Sequence, residues 1–175
     1  MPNPEIELNP VDHITTDAIG QPGKRVFYIQ AWQGQRTITL IVEKVQVQSL
    51  AVGIEQFLND VHEKFPDLAE ASPQYIEERM HIHPPVDPLF RVGEVGLGFD
   101  AENDRIVLVL RELLPEGQDP AEANVVRFWC TRDQLRALAR WGVEIAARGR
   151  PLCPQCGEPM DPQGHFCPKK NGHKH

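Results

Sequence analysis

Twice along this chain, a run of strand-forming residues gives way to apolar residues spaced by three and four. That switch of period constrains the fold more than any other feature of the sequence. In the first passage, residues 12–19 and 25–32 alternate as strands around the turn at Gly20-Gln-Pro-Gly23. Gln33-Gly34-Gln35 then makes a short hairpin connection into residues 36–42. Val47, Leu50, Ala51, Ile54, Phe57, Leu58 and Val61 follow at helical spacing, which predicts a helix over 44–65 stopped by Pro66. In the second passage, residues 90–99, 105–113 and 124–130 read as strands, with a polar turn at 100–104. Thr131 and Gln134 spell a capping box, and Leu135, Leu138, Ala139, Gly142, Ile145 and Ala146 line one face of the helix behind it. The pattern implies an α+β fold with a mostly antiparallel sheet, built from two strands-then-helix units, because the connections between strands are short.

The remaining segments read as connections. Residues 1–11 form an extended lead-in without firm anchors. Residues 66–88 form a linker-like excursion, with a short helix around 74–80 and an exposed loop at His81-Ile-His83. Gly93, Gly96 and Gly98 lie within a strand-like run and open no helix, so they mark close backbone approach rather than a phosphate loop. Cys130 shares a strand face with Val126 and Phe128, as a core thiol would. With 175 residues, the chain has room for an α+β domain over 1–150 and a separate tail over 151–175. No apolar run approaches the ~20 residues that span a bilayer. The N-terminus has neither the basic nor the apolar region of a signal peptide. The expected setting is cytoplasmic, with no membrane partner.

The tail is where the sequence states a chemistry. Cys153 and Cys156 flank Pro154-Gln155, Cys167 follows, and His165, His173 and His175 surround it. Three of the four cysteines crowd into this stretch, and in a reducing compartment such a cluster binds metal sooner than it forms disulfides. One tetrahedral structural Zn2+ fits, with Cys153, Cys156 and Cys167 as ligands and a histidine completing the set. His165 and His173 are the two main choices for the fourth ligand, and His175 is a terminal option. A Cys-x-x-Cys redox motif would follow a strand and open a helix, whereas this one follows a helix and opens a Pro/Gly-rich tail.

Charge is unevenly distributed. Residues 1–126 carry nine Lys/Arg against 21 Asp/Glu, for −12. Residues 127–175 carry nine against four, for +5. Arg132, Arg136 and Arg140 recur every four residues and form a basic stripe beside the apolar face of the second helix, a candidate anion-binding surface. No Gly-x-Ser-x-Gly, Walker loop or His-Glu-x-x-His is present to suggest a reaction.

Phe128-Trp129, the run Thr131-Arg-Asp-Gln-Leu-Arg-Ala-Leu-Ala, and the ending from Pro151 to Pro168 carry a likeness, as do Phe90-Arg-Val-Gly93 and Gly96-Leu-Gly-Phe-Asp100. In these stretches the chain resembles a bacterial family of proteins with a domain of unknown function, which end in this zinc-ribbon-like tail. The resemblance covers nearly the full length and favours His165 over His173 as fourth ligand. It supplies no activity. The function expected from the sequence is therefore a cytoplasmic, non-enzymatic binding or adaptor protein with a structural zinc. The alternatives are nucleic-acid binding through the basic helix and tail, and an enzyme of unrecognised type.

Overall fold

The computed structural model describes residues 5–21 and 23–148. In chain order the elements are β1 (Ile6–Leu8), β2 (His13–Ile19), β3 (Val26–Gln33), β4 (Arg36–Val42), α1 (Lys44–Lys64), β5 (Pro88–Asp100), β6 (Arg105–Glu112), β7 (Val125–Cys130) and α2 (Arg132–Arg148). All strands join one sheet in the order β1-β7-β6-β5-β4-β3-β2. The α+β class and both helices match the sequence reading.

The sheet is not purely antiparallel. The two meanders, β2-β3-β4 and β5-β6-β7, are antiparallel inside, but β1 pairs β7 in parallel and β4 pairs β5 in parallel. Both parallel pairs have one origin. The segment leading into each meander crosses over to pair with the last strand of the other meander. Glu7 thus faces Arg127, and Pro88 faces Thr39. Short connections between strands carry no information about such an exchange. The lead-in, expected to lack firm anchors, is in fact pinned by β1, where Leu8 is fully buried opposite Phe128.

The two ends of the sheet are one stretch of chain. The Val11 N–H donates to Trp129 O (2.9 Å), and the next residue, Asp12, donates to Trp32 O (2.7 Å). The bend at residues 9–12 thus links the two edge strands without pairing β1 to β2. The sheet carries the core: Leu40, Ile106, Leu108, Leu110, Val126 and Phe128 are all 0% exposed. Each such side chain contributes about 1.5–3 kcal/mol through burial.

The two units agree residue by residue. Phe27 faces Val42, and Ile106 faces Cys130. Those partners immediately precede the N-cap residues Glu43 and Thr131. Gln46 and Gln134 hold the third position of their helices. Each side-chain oxygen accepts the N–H of its own N-cap residue, at 2.7 and 2.8 Å. Each side-chain NH2 reaches the bend of a leading strand, donating to Val92 O (2.9 Å) or Val11 O (3.4 Å). A capping glutamine thus ties each helix start to the strand exchange.

The helices pack antiparallel, with α2 lying along β2 and α1 along β5. The contact is close at Gly142, where an added Cβ would lie 3.1 Å from Val47 Cγ1 and 3.7 Å from Thr16 Cγ2. β2 has no strand on its outer edge, and the fully buried Trp141 covers it, its indole N–H donating to Thr16 O (2.6 Å). No helix among the described residues is long and apolar enough to cross a membrane.

Residues 66–87 are more than a linker. They form a strap over α2 and the β2 edge, and their only helical turn is a 3-10 turn at Glu77–Arg79. Arg132 and Arg136 donate to Ala69 O and Ala71 O, and Ser72 N–H donates to Asp133. The Thr15 hydroxyl donates to Met80 O, and Met80 is 1% exposed. Asp17 accepts from the Ile82 N–H and the His81 ring, each at 3.1 Å. Gln30, fully buried, bridges Thr39 (3.0 Å), the His83 carbonyl (3.1 Å) and the His83 N–H (2.8 Å). The expected exposed loop at His81-Ile-His83 is thereby anchored, because β2 and β3 turn a row of buried polar side chains toward it.

His13 gives this strap a pH dependence. Its Nε2–H donates to Arg79 O (2.8 Å), and its ring tilts against Trp32. Burial lowers its pKa below 6.5, the carbonyl bond opposes the shift, and nearby His83 and Arg79 charges add to it. A depressed pKa means that the unfolded chain takes up the proton first. Stability is therefore full above about pH 6.5 and declines as pH falls from there toward the folded-state pKa. In urea unfolding at pH 7.5 and 5.5, His13→Gln is expected to show a smaller loss at the lower pH than wild type. An unchanged loss would remove His13 from the cause.

Candidate anion-binding site

The proposed zinc ligands Cys153, Cys156, Cys167 and His165, with the alternative His173, lie outside the described residues. Among the described residues, no group of three His, Cys, Asp or Glu side chains is placed to hold a metal ion. Cys130 is the expected core thiol. It is 0% exposed, and burial pushes its pKa far above the ordinary thiol range. Gly93, Gly96 and Gly98 lie inside β5, as the strand reading requires.

The arginine stripe of α2 is turned onto the protein's own acceptors. Arg132 forms a two-pronged pair with Asp104, from Nε at 2.8 Å and Nη2 at 3.1 Å, and this hydrogen bonding holds the Asp104 carboxyl below its usual range. Arg136 lies 3.4 Å from Glu55 and donates to Ala71 O (2.8 Å). Arg140 lies 3.4 Å from the other oxygen of Glu55. All three arginines of the stripe thus lie beside carboxylates of the protein, while the Arg140 side chain stays 56% exposed.

A different cationic cluster forms at the start of α1. Arg25, Lys44 and Arg91 surround a cavity of about 410 Å³, with Gly23, Val26, Phe27, Val42 and Glu43 completing its wall. Arg25 is held in place. It donates to Ile145 O (2.9 Å), and its guanidinium sits 4.9 Å from the centre of the Phe27 ring. Burial disfavours its charge and lowers its pKa, while Asp17 opposes the shift. Arg91 pairs with Glu43 (2.6 Å). Lys44 has no hydrogen-bond or ion-pair partner among the described residues.

The second unit shows what such a place holds. Asp104 immediately precedes β6, and Arg132 opens α2. Their counterparts are Arg25, immediately before β3, and Lys44, which opens α1. The second unit thus supplies its own carboxylate to the cation at its helix start. The first unit puts a second cation where that carboxylate would be. The first turn of α1 adds the positive end of its dipole, and the carboxylate there, that of N-cap Glu43, is already shared between the third helical N–H and Arg91. The arrangement favours an anionic group, held by side-chain N–H donors from two or three directions.

Sequence reasoning missed this cluster because its members are distant in the chain and sit in the acidic portion. The legible signal was the comparison of helix starts, Glu43-Lys44 against Thr131-Arg132, once the two units were aligned by their capping glutamines.

No curated protein and no solved structure matches the chain. A family model described as a protein of unknown function, DUF3090, matches residues 6–167, so the chain belongs to that family.

Proposed function

We propose that this protein is a non-enzymatic binding or adaptor protein whose α+β body recognises an acidic segment of a partner protein. A structural zinc organises its tail through Cys153, Cys156, Cys167 and His165. The observation that carries the reading is the cationic cavity of Arg25, Lys44 and Arg91, set where the second unit has Asp104 against Arg132. The counterpart anion is an aspartate on a turn, so the group that fits is a carboxylate on a peptide.

The body's other arginine stripe is engaged by Asp104 and Glu55, which weakens a nucleic-acid reading for α2. Titration calorimetry with an Asp/Glu-rich peptide tests the proposal. Binding is expected to weaken as salt rises and to drop about tenfold or more in Lys44→Ala, roughly the loss of one charge-assisted contact. Equal affinity in wild type and Lys44→Ala rejects the site. Retardation of a nucleic acid by the full chain, with no peptide binding, favours the alternative. Zinc analysis of protein purified under reducing conditions tests the tail separately, and an absence of zinc rejects that part alone.

A further inference from the structure

The strap lies on a groove that the fold builds twice. One groove runs between α2 of the second unit and β2 of the first, along Ile14, Asp133, Gln134 and Ala137. The strap crosses it with Tyr75, Ile76 and Met80, and Ile14 beneath is only 1% exposed. The matching groove runs between α1 of the first unit and β5 of the second, along Val95, Val45, Gln46 and Ser49. It has a volume of about 310 Å³ and is deepened by Gly53, Gly93 and Gly96. Nothing among the described residues crosses it. Val95, the counterpart of Ile14, is 38% exposed, and Val45 is 63% exposed.

Connectivity identifies the missing occupant. The strap is the chain that follows α1. The chain that follows α2 is residues 149–175. The helices pack antiparallel, with Gly142 against Val47 and Arg136 against Glu55, so the last turn of α2 lies by the first turn of α1. The groove begins there, at Val45 and Gln46. At about 3.3 Å per extended residue, a few residues reach it. The following segment contains Leu152, Met160 and Phe166, apolar side chains suited to the exposed valines.

We infer that the groove between α1 and β5 is the docking site for this chain's own residues 149–175, as the groove between α2 and β2 is for the strap. The body then buries each groove with the segment that leaves the opposite helix. The proposed docking groove adjoins the cationic cavity, since Val45 follows Lys44 and Gly93 lies two residues from Arg91.

Limited trypsinolysis of the full chain, followed by mass spectrometry, tests the inference at Arg150, Lys169 and Lys170. The wild-type tail is compared with Val95→Lys and Ser49→Lys. Both substitutions place a charged side chain in the groove at exposed or partly exposed positions, and Val143→Lys on the outer face of α2 is the control. Tail cleavage is expected to be at least tenfold faster in both groove variants, unchanged in the control, and independent of protein concentration. Equal cleavage in wild type and both variants overturns the inference. So does a protection that fades on dilution, which would assign the groove to a second copy of the chain. Circular dichroism establishes that each variant is folded, and two independent positions keep the test decisive if one is not.

Discussion

Trp141→Ala is expected to lower stability by about 3–5 kcal/mol. The residue is fully buried and closes the open edge of β2 through its bond to Thr16 O. Its ring also meets Tyr75 and His81 edge-on, and Arg148 lies 5.0 Å from the ring centre. Helix, sheet edge and strap therefore meet on one side chain. Trp141→Phe separates the parts of this role. It keeps most of the ring contacts but leaves the Thr16 carbonyl buried without a donor, at a cost of about 1–3 kcal/mol. Urea unfolding midpoints of the two variants check the division. A loss below about 1 kcal/mol for Trp141→Ala would mean that Trp141 is not the joint described.

Gln30→Leu is the second large effect, expected at about 2–4 kcal/mol. The substitution is close in volume, so little packing is lost. The cost comes from leaving the buried Thr39 hydroxyl and both part-buried backbone groups of His83 without their partner. Amide hydrogen exchange at residues 80–84 should accelerate with it, because the strap loses its central anchor. Wild-type exchange there, together with unchanged stability, would show that the polar row under the strap is not what holds it.

These two side chains also show how far the sequence could be read. The strands and helices were legible because their periods are local properties of the chain. Residues 36–42 and the capping box at Thr131 and Gln134 appear as expected. The strand exchange was not legible. Pairing of Ile6–Leu8 with β7 joins residues far apart in sequence, and three residues are too few to show a period. The strap was hidden for a related reason. Nothing local to Thr15, Asp17, Gln30 and Thr39 shows that they form a buried polar row beneath a segment distant in sequence, as the fold shows.

The candidate site divides in the same way. The arginine spacing on α2 was visible, but its carboxylate partners Asp104 and Glu55 come from other elements. The cation cluster of Arg25, Lys44 and Arg91 exists only because β3, α1 and β5 start or end at one corner. The repeat of pairing scheme made the cluster interpretable, by setting Arg25 and Lys44 against Asp104 and Arg132.

That comparison yields the most direct test of the account. Arg25→Asp places a carboxylate in the wall that Lys44 shares, at the position that Asp104 holds in the second unit. Titration of the Asp/Glu-rich peptide into this variant, with circular dichroism to establish the fold, is expected to show binding lost or weakened by more than about tenfold, the two charge changes acting together. Peptide affinity equal to that of wild type in a folded Arg25→Asp protein would contradict the assignment of the cavity as an anion site.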